Sequence, residues 1–256
     1  MLKTIKNLIL VGSAFAVVAG CGGRKNQFED IGAEGIYDRG HDAMAAGNYP
    51  AAITYFRQLE SRYPFSNVTR QAQLDLIYLY DKSAQPEAAV DAAEQFEREN
   101  PTHERVDYAL YMKGRVYFDQ APNILERWFK VDMTKRPPKD ALESFNTFQE
   151  LIRRFPNSAY ADDARQRMVY LRNRLAAYEN HVAAYYIERG AYIAAAKRGE
   201  YAIEHYSGAP ELEETLLMMV DAYQHLGMTD LAADARRVFN ENFGDGTRTA
   251  LSNNAR

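Results

Sequence analysis

The sequence predicts an all-α fold, an α-solenoid of about five stacked helix pairs, and three observations carry that prediction. From about residue 32 to Phe243, apolar residues recur at helical spacing in almost every window, and no alternating strand pattern interrupts them. The prolines fall between these windows, where helices stop. A set of glycine, alanine and aromatic positions returns at a spacing of 37 residues, the mark of a repeat architecture.

The chain opens with MLKTIKNLILVGSAFAVVAG, in which Lys3 and Lys6 precede an apolar run from Leu8 to Val18 and then small residues. Residues 1–20 therefore read as a secretory signal, outside the fold. The run falls short of the roughly 20 residues a transmembrane helix needs, and no later stretch approaches that length. Cys21, the single cysteine, follows Val18-Ala19-Gly20. This tetrad resembles the lipobox of bacterial lipoproteins, in which the signal is cut before a cysteine that then carries lipid. The resemblance implies acyl chains on Cys21, palmitate among them, as the only added group. More than one chain makes a stable anchor, since each buried methylene contributes about 0.8 kcal/mol. With no second cysteine there is no internal disulfide, so burial alone must stabilise the fold, and roughly 235 residues allow it.

Residues 22–31, GGRKNQFEDI, are polar and glycine-led and read as a tether from the lipidated Cys21. The stretch from Cys21 to Tyr37 can span roughly 50 Å when extended. The first repeat follows: Gly40, then Gly47-Asn48-Tyr49, Ala52, Phe56 and Tyr63-Pro64 outline a helix, a tight turn and a second helix ended by proline. This outline resembles the tetratricopeptide repeat. In the second copy Ala89 stands 37 residues after Ala52, Pro101 stands 37 after Pro64, and Phe96 corresponds to Leu59. The third has Tyr111, Gly114 and Tyr117 on its first helix and Phe148, Leu151 and Phe155-Pro156 on its second, with Ser144 in place of the small alanine. Repeats one to three thus occupy residues 32–156, with an insertion at about 119–138. Residues 157–243 hold one long helix, over Ser158 to Val182, and two further copies marked by Gly190, Tyr192 and Ala195 and by Gly227, Ala232 and Phe239. Residues 244–256 read as a disordered tail. Glycine and alanine suit close helix crossings, aromatics fill the hollows between pairs, and such stacks present a concave face to extended ligands.

Chemistry-bearing motifs are missing from this pattern. No phosphate loop, zinc-protease helix or nucleophile elbow occurs, and His41, His103, His181, His205 and His225 lack metal-ligand spacing. The acidic pairs Asp162-Asp163 and Glu213-Glu214 sit where helix starts favour acids. The expectation is a protein that is not an enzyme, with no catalytic residue, no metal and no cofactor beyond the lipid. Loss of the signal removes two lysines and no acid, taking the formal charge from −4 to −6. That balance gives no reason to expect nucleic acid, or a membrane contact beyond the anchor.

Binding residues are sought among the aromatics. Phe56, Phe96, Phe148 and Phe239 hold repeat positions that are core. Tyr37, Tyr78 and Tyr80 lie on first helices, which line the concave face, and can meet both apolar and polar ligand atoms. In the insertion, Trp128-Phe129 stands among Arg127, Lys130, Lys135 and Arg136, and is either tucked under its loop or offered to a partner.

Several blocks go beyond the repeat consensus: GNYPAAITYFRQLESRYPFS, QAQLDLIYLY, VDYALYMKG before the aromatic insertion, and YYIERGAYIAA. With the lipobox and tether, they make the chain from Cys21 to about Phe243 resemble the BamD family, also called ComL, lipoproteins of the outer-membrane β-barrel assembly machine. The resemblance implies a lipid-anchored scaffold on the periplasmic face of the outer membrane. Its partners would be nascent outer-membrane proteins, the central barrel subunit and accessory lipoproteins. It implies substrate contact by the first repeats, with Tyr37, Tyr78 and Tyr80 as candidates, and subunit docking by the later ones, with Glu188, Arg189 and Arg198 as candidates. Gly22 after the cysteine agrees with outer-membrane sorting. The alternatives are another repeat lipoprotein, an adaptor for pilus secretin assembly or for a cell-wall hydrolase, and a wall-modifying enzyme.

Overall fold

A computed structural model describes residues 31–120 and 138–244, and among these residues it contains ten helices and no strand. The signal, Cys21, the tether up to residue 30, Trp128 and Phe129 of the insertion, and the tail from residue 245 lie outside the described residues. The chain divides into two compact units, one ending at Thr69 and one beginning at Arg70.

In the first unit, α1 (Ala33–Ala45) and α2 (Tyr49–Arg62) form a helix pair. Gly47 makes the turn between them with φ of 74°, a left-handed conformation that only glycine adopts without strain. The Asn48 side chain then accepts the Ala51 N–H at 3.3 Å to cap α2, and Pro50 fits the first turn, where no amide donor is needed. Ile36, Ala52, Phe56 and Leu59 are fully buried. A Cβ on Gly40 would collide with the Phe56 ring, so the absence of a side chain at Gly40 is what lets the two helices close on that phenylalanine.

The next helix, α3 (Asn67–Lys82), starts in the first unit and continues into the second, where α4 (Pro86–Glu99), α5 (Val106–Gln120), α6 (Lys139–Arg154), α7 (Ala161–Glu188), α8 (Tyr192–His205), α9 (Leu212–His225) and α10 (Thr229–Phe243) follow. From α4 onward each helix packs on the next. Ile77 and Ala93 stand where the first repeat has Gly40 and Phe56, both buried in one cluster with Phe96, Leu110 and Phe148, so large and small have changed places. The third repeat returns to the first arrangement: a Cβ on Gly114 would come within 2.6 Å of the Phe148 ring. Ser144 replaces the small alanine without cost, because its buried hydroxyl donates to the Gly114 carbonyl at 2.8 Å.

Two boundaries differ from the sequence reading. Asp119 ends inside α5, which runs to Gln120, and not in the insertion. The long helix spans Ala161–Glu188, with no glycine or proline to stop it before Gly190. It packs on both α6 and α8, so one helix closes the third repeat and serves as the first helix of the fourth.

Candidate protein-binding surface

The first helices of three consecutive pairs, α3, α5 and α7, share one face in the second unit. On α5 that face carries Tyr108, Tyr111, Arg115 and Phe118; on α7 and at its cap it carries Tyr160, Asp163, Arg167 and Tyr170. Both sets follow the spacing i, i+3, i+7, i+10, which keeps side chains on one helical stripe. The stripes interlock as a ladder. Arg105 lies 5.1 Å from the Tyr108 ring and donates to the Tyr160 hydroxyl at 3.2 Å. Tyr160 stacks on Tyr111 at 4.6 Å and 18°. The Tyr111 hydroxyl donates to Asp163 at 2.9 Å, and the same carboxylate oxygen accepts Arg167 Nε at 2.6 Å. Arg167 covers the Phe118 ring at 4.7 Å, and Phe118 meets Tyr170 edge-on at 5.7 Å. Arg115 pairs with Asp81 of α3, tying the third helix in. Its Nε lies buried without an acceptor among the described residues.

Burial works against the charge on Asp163, but the hydrogen bonds from Arg167 and Tyr111 outweigh it and hold that carboxyl below its ordinary range. At the far end burial raises Asp119, with Arg115 and Arg167 only partly compensating. Burial also pushes Tyr108 up to about 12, with Asp75 adding to the effect. At neutral pH Tyr108 and Tyr111 therefore stand neutral beside fixed ion pairs. Such a surface binds by ring faces, hydroxyls and hydrogen bonds, which suits an extended polypeptide.

A second feature lies between α6, α7 and α8. A hollow of about 460 Å³ is lined by Leu142, Leu175, Tyr178, Tyr201 and Tyr206, with Glu179 and Arg198 in its wall. Arg198 reaches Glu179 at 3.2 Å, its own side chain 41% exposed and the carboxylate 7% exposed. Burial raises the Glu179 carboxyl, and Arg198 offsets only part of that. The neighbouring residue, Asn180, is buried and satisfied by the Glu211 carbonyl and the Thr215 hydroxyl.

The sequence-derived candidates fall as follows. Tyr37 is half-buried and stacked on Phe56 at 5.5 Å, within the first unit. Tyr78 flanks the main core cluster with Lys82 over its ring, whereas Tyr80 packs by Ala89, Val90 and Val116. Two residues apart on a helix means about 200° of rotation, so Tyr78 and Tyr80 do not share a face. Glu188 and Arg189 are exposed at the end of α7, with Arg189 lying 4.3 Å from the Tyr185 ring. Arg198 turns instead to Glu179, about 13.5 Å of helix rise before Glu188, so the three candidates form no single cluster. Sequence reasoning passed over Tyr108, Tyr160, Arg167 and Tyr170, and read Asp163 only as an acid at a helix start, whereas it bridges Tyr111 and Arg167. Their matched stripe spacing on successive first helices was the available signal.

Comparison with known proteins identifies the family. The family described as YfiO, outer membrane lipoprotein, matches residues 29–238. The outer membrane protein assembly factor BamD of Neisseria meningitidis serogroup A is 43% identical over 215 residues, covering 84% of this chain and 80% of that protein. Its counterpart in Vibrio cholerae is 36% identical over 217 residues, covering 85% and 90%. That of Xylella fastidiosa is 32% identical over 240 residues, covering 93% and 82%. The crystal structure of MamA protein aligns with 82% of this chain and 90% of that one at 16% identity and a TM-score of 0.35, too slight a likeness to add to the helix packing described above. With a family match across most of its length and relatives this similar, the chain belongs to the YfiO family of outer membrane lipoproteins.

Proposed function

We propose that this chain is a non-catalytic assembly factor for outer-membrane proteins, held to the periplasmic face of the outer membrane by lipid on Cys21 and needing no other cofactor. Its family and the printed role of its relatives support the assembly role. The observation that carries the mechanism is the ladder of rings and guanidinium groups on α5 and α7, tied to α3 through Asp81. Unfolded barrel segments are extended and rich in apolar and aromatic side chains, which pack on the exposed Tyr170 and the half-buried Tyr111 and Tyr160 of the same face. The ion pairs within the ladder hold these side chains in place before the substrate arrives, which lowers the entropy cost of binding.

Docking of the central barrel subunit belongs to the fourth repeat, with Glu188, Arg189 and Arg198 as its contacts and the hollow beside Arg198 as a socket for a partner side chain. The single experiment is affinity capture from solubilised envelope, using the wild-type chain and the variants Tyr111→Ala and Arg167→Ala. The wild type recovers a large β-barrel protein with periplasmic domains together with nascent barrels. The variants, checked for an unchanged helical signal, keep the large subunit and lose about tenfold in affinity for a barrel-derived peptide, as expected for about 1.4 kcal/mol of stacking and hydrogen bonding. Recovery of a secretin or of wall hydrolases without the barrel subunit overturns the proposal.

A further inference from the structure

Phe65 is 93% exposed, the most exposed large apolar residue among those described. It does not hang from a loose loop. The Ser66 N–H donates to the Tyr63 carbonyl at 3.1 Å, and the Thr69 hydroxyl, on a buried residue, donates to the same carbonyl at 2.6 Å. The same turn is made three more times in the chain. His103 N–H donates to Asn100, Ser158 N–H to Phe155 and Ala209 N–H to Tyr206, at 3.0, 3.0 and 3.1 Å. The residue corresponding to Phe65 in those turns is Thr102, Asn157 and Gly208. The turn therefore has no need of a phenylalanine, and only this repeat places an apolar ring in water there.

The tether indicates what that ring can meet. The Tyr63 hydroxyl lies 3.5 Å from the Ile31 carbonyl, so the polypeptide leading back to Cys21 enters the first unit beside this turn. Nine residues lie between Cys21 and Ile31, a reach of at most roughly 35 Å. A chain held so closely meets the bilayer at high effective concentration, and one ring then suffices for a contact that a free protein could not maintain. Phenylalanine is also a residue type that apolar faces bury at the boundary between headgroups and acyl chains.

We propose that the Tyr63–Ser66 turn is a second point of contact with the lipid surface, with Phe65 inserted into the headgroup region and fixing how the first unit meets the membrane. This rests on acylation of Cys21.

The test uses the full acylated chain carrying Phe65→Cys. Acylation occupies Cys21, so the new thiol is the only one free for an environment-sensitive fluorophore. The labelled protein is reconstituted on phosphatidylethanolamine–phosphatidylglycerol vesicles, and flotation establishes anchoring. The expected result is a blue-shifted, severalfold brighter emission that falls at least twofold when the lipids are brominated near the headgroup. The chain carrying both Cys21→Ala and Phe65→Cys should keep the aqueous emission in the same vesicles. A floated protein whose label stays aqueous overturns the inference and leaves the lipoprotein reading intact. A chain that does not float overturns that reading and the inference with it. A label that turns apolar only when envelope proteins are added, without vesicles, shows that a protein covers Phe65 and also overturns the inference.

Discussion

Replacing Gly114 by alanine tests the helix packing through the sign of its effect. An ideal Cβ at this position would lie 2.6 and 2.8 Å from two carbons of the Phe148 ring, whereas carbon contacts are comfortable at about 3.5 to 4.0 Å. Phe148 is fully buried and cannot swing away, so the helices must part by close to 1 Å. Overpacking of this kind costs about 1–3 kcal/mol. Within a helix, glycine to alanine returns about 1 kcal/mol through propensity. The net expectation is a loss of roughly 1 kcal/mol, where a glycine facing open space would give a gain of similar size. Urea unfolding followed by circular dichroism, on the chain carrying Cys21→Ala so that detergent is absent, should place the midpoint about 0.5 M lower at an unchanged slope near 2 kcal/mol per M. Adding Phe148→Leu removes the collision, so the double variant should be more stable than the sum of the single effects predicts. A rise in midpoint for Gly114→Ala alone would refute the crossing described here. The second repeat already carries the compensated exchange, with Ile77 and Ala93 in these places.

Other perturbations read different parts of the molecule. Ala84 holds φ of 54° where Gly47, Gly190 and Gly227 occupy the corresponding turns, so Ala84→Gly should raise stability by about 1 kcal/mol in the same urea assay. Arg198→Ala leaves the Glu179 carboxylate buried without its partner and should cost about 1–3 kcal/mol, most of it regained on adding Glu179→Gln. A docking defect that persists in that double variant belongs to Arg198 itself, and one that disappears was a folding effect. Because the folded state lowers the Asp163 carboxyl, its contribution is complete above the usual carboxylate pKa and is lost as pH falls through the folded value. Asp163→Asn should therefore flatten the acid limb of stability against pH and leave the neutral region nearly level; an acid limb identical to wild type contradicts the Tyr111–Asp163–Arg167 bridge. Spectrophotometric titration of a Tyr108→Phe variant should lose one tyrosine that ionises near pH 12.

What the sequence determined by itself was local and periodic. Helical spacing, proline placement and the 37-residue return of small and aromatic residues depend on propensity and backbone geometry within one turn or one helix pair, so the repeats and the glycine turns were legible from residue types alone. The lipobox was legible in the same way, whereas the exposure of Phe65 and the equivalence of its turn to three others came only from the structure. What tertiary structure alone decided was which side chains from different helices meet. Tyr111 and Asp163 lie 52 residues apart, and Glu179 and Arg198 lie on separate helices, so no local pattern announces either pair. The rotation that separates Tyr78 from Tyr80 follows from helix geometry, but the core cluster that each one faces is fixed only when the neighbouring pair packs against α3. The dual role of α7 has the same origin: its continuity is written in the absence of glycine and proline, and its membership of two repeats comes from burial against α6 at one end and α8 at the other.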